Sequence, residues 1–536
     1  MKSFFKHFIF VFVVILLTSN CARKGRPNGG LKDSLAPVMV TANPPYKSLN
    51  FKSKKIKLSF DEYITLDKLN QQLVISPPLK YQPEISPQGY PSKEITIKLS
   101  DTLKENTTYI FNFGNSIKDN NEGNLLKSFN YVFSTGNYVD SLQTKGLIKD
   151  AFHKKFDDDI SVLLYKVDST YTDSIIYKQK PNYITNTLDS LYKITNIKEG
   201  KYLLIALKDA SNNYLFNPKE DKIGFYNGFL ELPKDSLIIE PLSLFKETLD
   251  FRVISAKEIS KGKIQFAFEG NRENIKIELL SDVPNNFKNQ TVLDLNKDSI
   301  YFWHSKIDKD SLVFKIKKEN YVATKTVFLR KKVIDSLKVN SNISSVLDLK
   351  DTLTLITNNP VTNIDTSKIL FLDKDSVSVK YQYVLKKSSN KIQLLFDKKY
   401  KNNYKLTLLP KALTDIFKTQ NDTLKYNFST KEPEDYGSIS FTINKKPTTT
   451  VLVELISENN NKIVQQIKVT DNTKVVFELL PPGKYIARAI IDANKNNKWD
   501  SGNYLQKIQT EKVIYHPTIF NIRANWNLPL ETFTIN

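Results

Sequence analysis

Along most of the chain, apolar and polar residues alternate over short stretches, as in Ile56–Lys57–Leu58–Ser59–Phe60, Ile95–Thr96–Ile97–Lys98–Leu99 and, with Leu452 as an exception, Val451–Leu452–Val453–Glu454–Leu455. A period of two sends successive side chains to opposite faces of a strand, one dry and one wet. The stretches end in turns rich in Asn, Asp, Gly and Pro, which tolerate the backbone angles that turns require. No segment carries a long, capped stripe at the helical period. The pattern therefore predicts an all-β chain of tandem β-sandwich domains.

The alternation repeats at long range. Tyr109-Ile-Phe-Asn-Phe-Gly-Asn-Ser-Ile-Lys-Asp119, closing on Phe133-Ser134-Thr135, is echoed by Tyr404-Lys-Leu-Thr-Leu-Leu-Pro-Lys-Ala-Leu-Thr-Asp415, closing on Phe428-Ser429-Thr430. Gly200-Lys-Tyr-Leu-Leu-Ile-Ala-Leu-Lys-Asp209 parallels Gly483-Lys-Tyr-Ile-Ala-Arg-Ala-Ile-Ile-Asp492, each preceded by a Gly-led strand at Gly146 or Gly437. Two sandwich types, each used twice, account for both repeats. The expected order is a signal segment over 1–20, a tether over 21–35, the first type over 36–136 and the second type over 137–241. A linking β-domain over 242–332, a diverged first type over 333–431 and a closing second type over 432–536 complete it.

The alternation fails at the N-terminus, where Lys2 and Lys6 precede an apolar run from Phe8 to Leu17, followed by Thr18, Ser19, Asn20 and Cys21. A positive start, a short apolar run and small polar residues read as a secretory signal. The run is far shorter than the ~20 residues a helix needs to cross a bilayer. Cys21 is the only cysteine in the chain, which excludes internal disulfides and thiolate metal sites. Its position resembles a bacterial lipobox, and the resemblance implies that Cys21 carries the lipid and becomes the first residue of the mature protein. Two or three acyl chains anchor stably where one does not. The Gly/Pro/basic stretch that follows reads as a flexible tether. With no Asp after the cysteine and no acidic cluster, the resemblance implies the periplasmic face of an outer membrane.

Residues Pro37-Val-Met-Val, Phe60-Asp-Glu-Tyr-Ile64, Leu103-Lys-Glu-Asn-Thr-Thr-Tyr109 and the closing Phe-Ser-Thr-Gly136 resemble the bacterial Ig-like domain named after the surface-layer protein SbsA. The Gly-led and Gly-Lys-Tyr strands resemble the transthyretin-like sandwich of carboxypeptidase regulatory-like domains. The whole arrangement, with Arg523-Ala-Asn-Trp526 near its end, is similar to Ig-like-domain lipoproteins of Bacteroidota. Such a resemblance implies adhesion, spacing or assembly with no shared chemistry.

The composition is 40% hydrophobic and 25% charged over 536 residues, enough for a core in each of about four or five domains. A net charge of +21 draws the chain to anionic envelope polymers, headgroups or acidic protein surfaces, and export disfavours nucleic acid. There is no Walker loop, G-x-S-x-G or H-E-x-x-H, and His153, His304 and His516 fall in different domains. The expectation is a non-enzymatic scaffold or spacer, with glycan binding or adhesion as the alternative and Trp303, Trp499 and Trp526 as its candidate platforms. One loop suggests a cofactor. Asp492, Asn494, Asn496, Lys498 and Asp500 place oxygens at alternate positions, as a calcium loop does. Its repeat partner, Asp209, Ser211, Asn213, Asn217 and Glu220, has similar spacing. Both lack the sixth-position glycine and flanking helices of an EF-hand, and a solvated turn is the competing reading for each.

Overall fold

The computed structural model describes residues 33–535 apart from 188, 272–273, 295–296 and 447. The signal segment and Cys21 lie outside the described residues. The chain forms two compact units: the N-terminal part to Leu142 with the short pieces Asn182–Ile184 and Asn196–Lys198, and the remainder. Both are built of mainly antiparallel sheets packed face to face, so the architecture is a tandem of β-sandwiches.

In the first unit, one sheet takes Met39–Asn43, Lys55–Leu66, Ser92–Lys98, Glu84–Ser86 and Ile117–Asp119, and the other takes Val74–Ser76, Thr108–Asn112 and Asn130–Ser134. Alternation along Lys55–Leu66 buries Ile56, Leu58, Phe60 and Ile64 against Phe111, Phe113 and Phe133. The repeat motif has a structural purpose. Tyr109 stacks on Phe133 at 5.5 Å, and its hydroxyl accepts the Lys104 N–H at 2.9 Å. Thr135 Oγ1 donates to the Lys104 carbonyl at 2.7 Å. This is a tyrosine corner, in which one side chain ties a strand to the loop that enters it.

The second unit holds the other four sandwiches. In the one over 333–431, Tyr404 stacks on Phe428 at 5.3 Å and accepts the Lys399 N–H at 2.8 Å, and Thr430 Oγ1 donates to the Lys399 carbonyl at 2.5 Å. The same three contacts thus recur at the same motif. The long strand of the first unit is split here into Leu353–Thr357 and Val361–Ile364, because Pro360 cannot donate to a ladder. Asn359 fills the break: buried, it donates to the Asp415 carboxylate and the Asp335 carbonyl, both at 2.9 Å.

The linking domain is also a sandwich, with a four-stranded sheet (Arg252–Ser260, Lys263–Glu269, Ser299–His304, Asn289–Asp294) over a three-stranded one (Lys276–Leu279, Ser311–Lys318, Tyr321–Phe328). Trp303, Tyr301 and Val292 form a small apolar seam with Ile416 and Phe417 of the next domain.

The two Gly-Lys-Tyr sandwiches share a topology. In each, the first strand pairs in parallel with the last: Leu142–Asp150 with Leu242–Leu244, which carries the second sandwich past the expected boundary at 241, and Gly437–Lys445 with Asn527–Ile535. In each, the Gly-Lys-Tyr strand is central, pairing with Ser161–Lys166 or with Val451–Ser457. The starting glycine of the last domain is forced by contact, since a Cβ at Gly437 would lie 2.6 Å from both Ile522 Cγ2 and the Trp526 carbonyl.

Candidate functional site

Asp492 follows the last residue of Gly483–Ile491 and is buried. Its carboxylate accepts the N–H groups of Asn496 and Asn497, both at 3.0 Å, so it holds the loop beyond the strand in place. Asn494 Oδ1 accepts the Asn496 N–H at 3.1 Å and Asn496 Oδ1 accepts the Lys498 N–H at 3.0 Å. Both side-chain amides donate to Asp500 Oδ2 at 2.6 Å. Asp492, Asn494, Asn496, Lys498 and Asp500 therefore lie in one loop, with Asn494, Asn496 and Asp500 in direct contact. A further carboxylate, not anticipated from the sequence, completes it. Glu511 accepts the N–H groups of Ala493 at 2.8 Å and Asp500 at 3.1 Å. Burial pushes the Glu511 carboxyl up, the two N–H groups pull it down, and Asp500 and Asp492 push it up further, leaving it above its ordinary value. Glu511 stands eleven residues past Asp500, outside the window in which a calcium-loop spacing is sought.

The partner loop is closed differently. Asp209 accepts the Ser211 and Tyr214 N–H groups at 3.0 and 2.6 Å. Asn213 and Asn217 cap the backbone at Leu215 and Lys219. Glu220 is exposed, and its neighbour Asp221 turns inward to accept Ala210 N–H at 2.9 Å and Asn217 N–H at 2.7 Å. Burial is the main cause that raises the Asp209 carboxyl, and Asp221 adds to it against the pull of the Tyr214 and Ser211 N–H groups. Among the described residues, no three His, Cys, Asp or Glu side chains form a metal-binding group.

These two sandwiches meet, although about two hundred residues separate them in sequence. From the second sandwich Phe152 reaches the outer face of the fifth. Its carbonyl accepts from Tyr515 Oη at 2.6 Å and Arg488 Nη1 at 3.2 Å, and its ring lies 3.9 Å from the Arg488 guanidinium and 4.7 Å from the Trp499 ring. Arg488 Nε also donates to Glu454 at 2.6 Å, and both side chains are nearly fully buried. Burial raises the Tyr515 hydroxyl above its ordinary pKa, keeping it a proton donor. In the reverse direction, Tyr504 of the fifth sandwich packs on Phe225 at 5.5 Å, and its N–H donates to Glu247 at 2.6 Å. A side chain at Gly502 would strike Phe245 at 2.6 Å. Lys507 pairs with Asp173 at 2.7 Å, fixing the rim.

A cleft of about 1090 Å³ opens beside the Phe152 contact. Lys222 stands in it between Asp150 at 2.8 Å and Asp157 at 2.6 Å. Burial works against the Lys222 charge, yet the two carboxylates together raise its pKa. The remaining aromatic and imidazole candidates serve packing. Trp303 is buried, Trp499 donates to the Glu511 carbonyl at 3.0 Å, and His516 lies among Phe441, Phe520 and Phe533. His153 rests on Asp150 at 3.2 Å, and burial pulls His304 below its ordinary value. Trp526 alone of the tryptophans is exposed, at 43%, with Arg523 over its ring at 5.1 Å.

Residues 33–135 match the family of bacterial Ig-like domains. No curated protein matches the chain. Among solved structures, the surface layer protein SbsC, domains 1–6, is similar at 13% identity and TM-score 0.14 over 86% of this chain, which spans 66% of that one. The Bacillus anthracis TIE protein is similar at 10% identity and TM-score 0.14, over 95% of this chain and 75% of that one. The titin I9–I11 tandem is similar at 8% identity and TM-score 0.12, over 53% of this chain and 100% of that one. An Ig-like domain is an adhesive or structural module.

Proposed function

We propose that this protein is a lipid-anchored envelope lipoprotein of the Bacteroidota type, held at the periplasmic face of the outer membrane through Cys21, where its sandwiches space or assemble other envelope components without catalysing a reaction. The observation that carries the scaffold reading is the junction of the second and fifth sandwiches. A spacer needs domains held at set positions, and here two sandwiches distant in sequence are locked by a carbonyl that accepts two donors, an aromatic contact and the Lys507–Asp173 ion pair. The anchor reading rests on the sole cysteine standing directly after a signal-like segment. Its partners are other envelope proteins or anionic envelope polymers, reached by a strongly basic chain. A second reading, glycan binding or adhesion, is favoured by the exposed Trp526 ring.

Crosslinking in intact cells followed by recovery of the protein tests the scaffold reading. It predicts specific envelope proteins among the products, and saturable polysaccharide binding with no protein partner would replace it by the glycan reading. Replacing Cys21 with Ser tests the anchor. The expected outcome is a change in size and release from the membrane fraction, and unchanged fractionation at unchanged size would remove the lipid.

A further inference from the structure

On the outer face of the fifth sandwich's four-stranded sheet, directly opposed residues form a row. Ile463 faces Ile456, Ile456 faces Ile486, and Ile486 faces Ile519. The alternation that sends Leu455 and Ala487 into the core sends this row outward. At ~4.8 Å between strands, the row is about 14 Å long. Its middle is covered and its ends are open, with Ile463 50% and Ile519 45% exposed. All four isoleucines line the 1090 Å³ cleft.

The rim of the cleft is cationic. Lys154, Lys155 and Lys462 line it and are exposed, and among the described residues no carboxylate lies in ion-pair contact with any of them. The acidic lining groups Asp157 and Glu458 are engaged by Lys222 at 2.6 Å and Lys484 at 3.9 Å, leaving Asp158 as the counterweight. An apolar floor with a positive rim suits an amphipathic anion. The direction of the row decides its kind. A peptide that extends a sheet runs along the strands and needs the free backbone groups of an edge. This row runs across the strands, over backbone groups already paired in the ladders. A linear alkyl chain needs no hydrogen bonds and gains from each apolar contact along its length.

We propose that this cleft binds a free long-chain carboxylate, with the alkyl chain entering at the open Ile519 end and running over half-buried Ile486 toward Ile456, and the carboxylate among the rim lysines. This site rests on the junction of the second and fifth sandwiches, which brings Lys154 and Lys155 to the isoleucine row, and does not depend on what the protein spaces or assembles. The test uses the full chain carrying Cys21→Ser, so that no detergent competes, titrated with the fluorescent probe dansylaminoundecanoate. Saturable binding, displaced by dodecanoate and about tenfold less well by uncharged dodecanol, is expected. Ile519→Asp should weaken the probe by about tenfold or more, since it sets a like charge and a hydrated group on the alkyl path. The control Ile254→Asp, at an exposed position of the linking domain, should change nothing. If Ile519→Asp disturbs folding, the triple variant Lys154→Ala, Lys155→Ala, Lys462→Ala at exposed positions decides, by lowering dodecanoate affinity to that of dodecanol. A signal that never saturates, unchanged affinity in a folded Ile519→Asp or in the triple variant, or equal loss in the control overturns the proposal.

Discussion

Counted from Gly200 and Gly483, Ile205 and Arg488 hold the same place in the two Gly-Lys-Tyr strands. In the second sandwich Ile205 faces Leu163 across the ladder, and in the fifth Arg488 faces Glu454. One fold thus carries an apolar pair and a buried ion pair at the same crossing. The apolar pair seals a surface without regard to what lies above it. The ion pair costs desolvation and returns direction, because the Arg488 guanidinium has donors left over and aims one at the Phe152 carbonyl. The difference shows that the outer face of the fifth sandwich is built to recognise a particular neighbour, while that of the second is covered by apolar contact with Tyr504.

Arg488→Ala gives the largest expected effect. Glu454 would stay buried with only Gln466 as a partner at 2.8 Å, a loss of about 3–5 kcal/mol in chemical denaturation. The double variant Glu454→Leu, Arg488→Ile installs the second sandwich's solution in the fifth. It should recover most of that stability, because apolar replacement of a buried pair is often neutral. It should not recover the junction, and amide hydrogen exchange around Phe152 should remain faster than in the parent. A single variant that costs under about 1 kcal/mol would show that the two crossings do not differ in kind.

The two loops extend the comparison. Asp492→Ala removes a carboxylate that accepts two backbone N–H groups, and it should cost about 2–3 kcal/mol. Asp209→Asn should behave differently with pH. The folded Asp209 carboxyl lies above its ordinary value of 3.8, with burial as the main cause. Its contribution to stability is therefore fully present below that value and is lost as pH rises through the folded pKa. The parent should thus lose stability relative to Asp209→Asn from about pH 4 upward, as equilibrium unfolding at several pH values will show. A parent that gains on the variant over that range would reverse the sign and the account.

Much of this was legible in advance. Alternation located the core face of the first unit's long strand, so Ile56, Leu58 and Phe60 are buried where the pattern puts them, whereas Val451–Ile456 is buried on both faces. The repeat motifs located the tyrosine corners, because stacking and hydroxyl contacts are made within a few residues of the motif. The junction was not legible. Arg488 and Phe152 are 336 residues apart, and nothing local to Phe152 marks its carbonyl as an acceptor. Glu454 and Arg488 each break a run of apolar residues, which was the one available sign. The same reason hid Glu511 and Asp221, since a loop's own spacing says nothing of a carboxylate arriving from the next strand or turn.

The smallest expected effect separates the loops as cation sites. In the fifth sandwich Asp492, Asp500 and Glu511 surround one loop, and Glu511 is held above its ordinary value partly by the other two. A calcium ion would relieve that repulsion among three carboxylates, whereas the loop of the second sandwich is closed by two, Asp209 and Asp221; in both loops each of these carboxylates accepts two hydrogen bonds. Millimolar calcium should therefore raise the melting temperature by about 2 °C through the fifth sandwich. Asp500→Ala should abolish the shift, and Glu220→Ala should leave it intact, because Glu220 points to solvent. A melting temperature indifferent to both calcium and chelator would leave the two loops alike, each a turn held by its own aspartate.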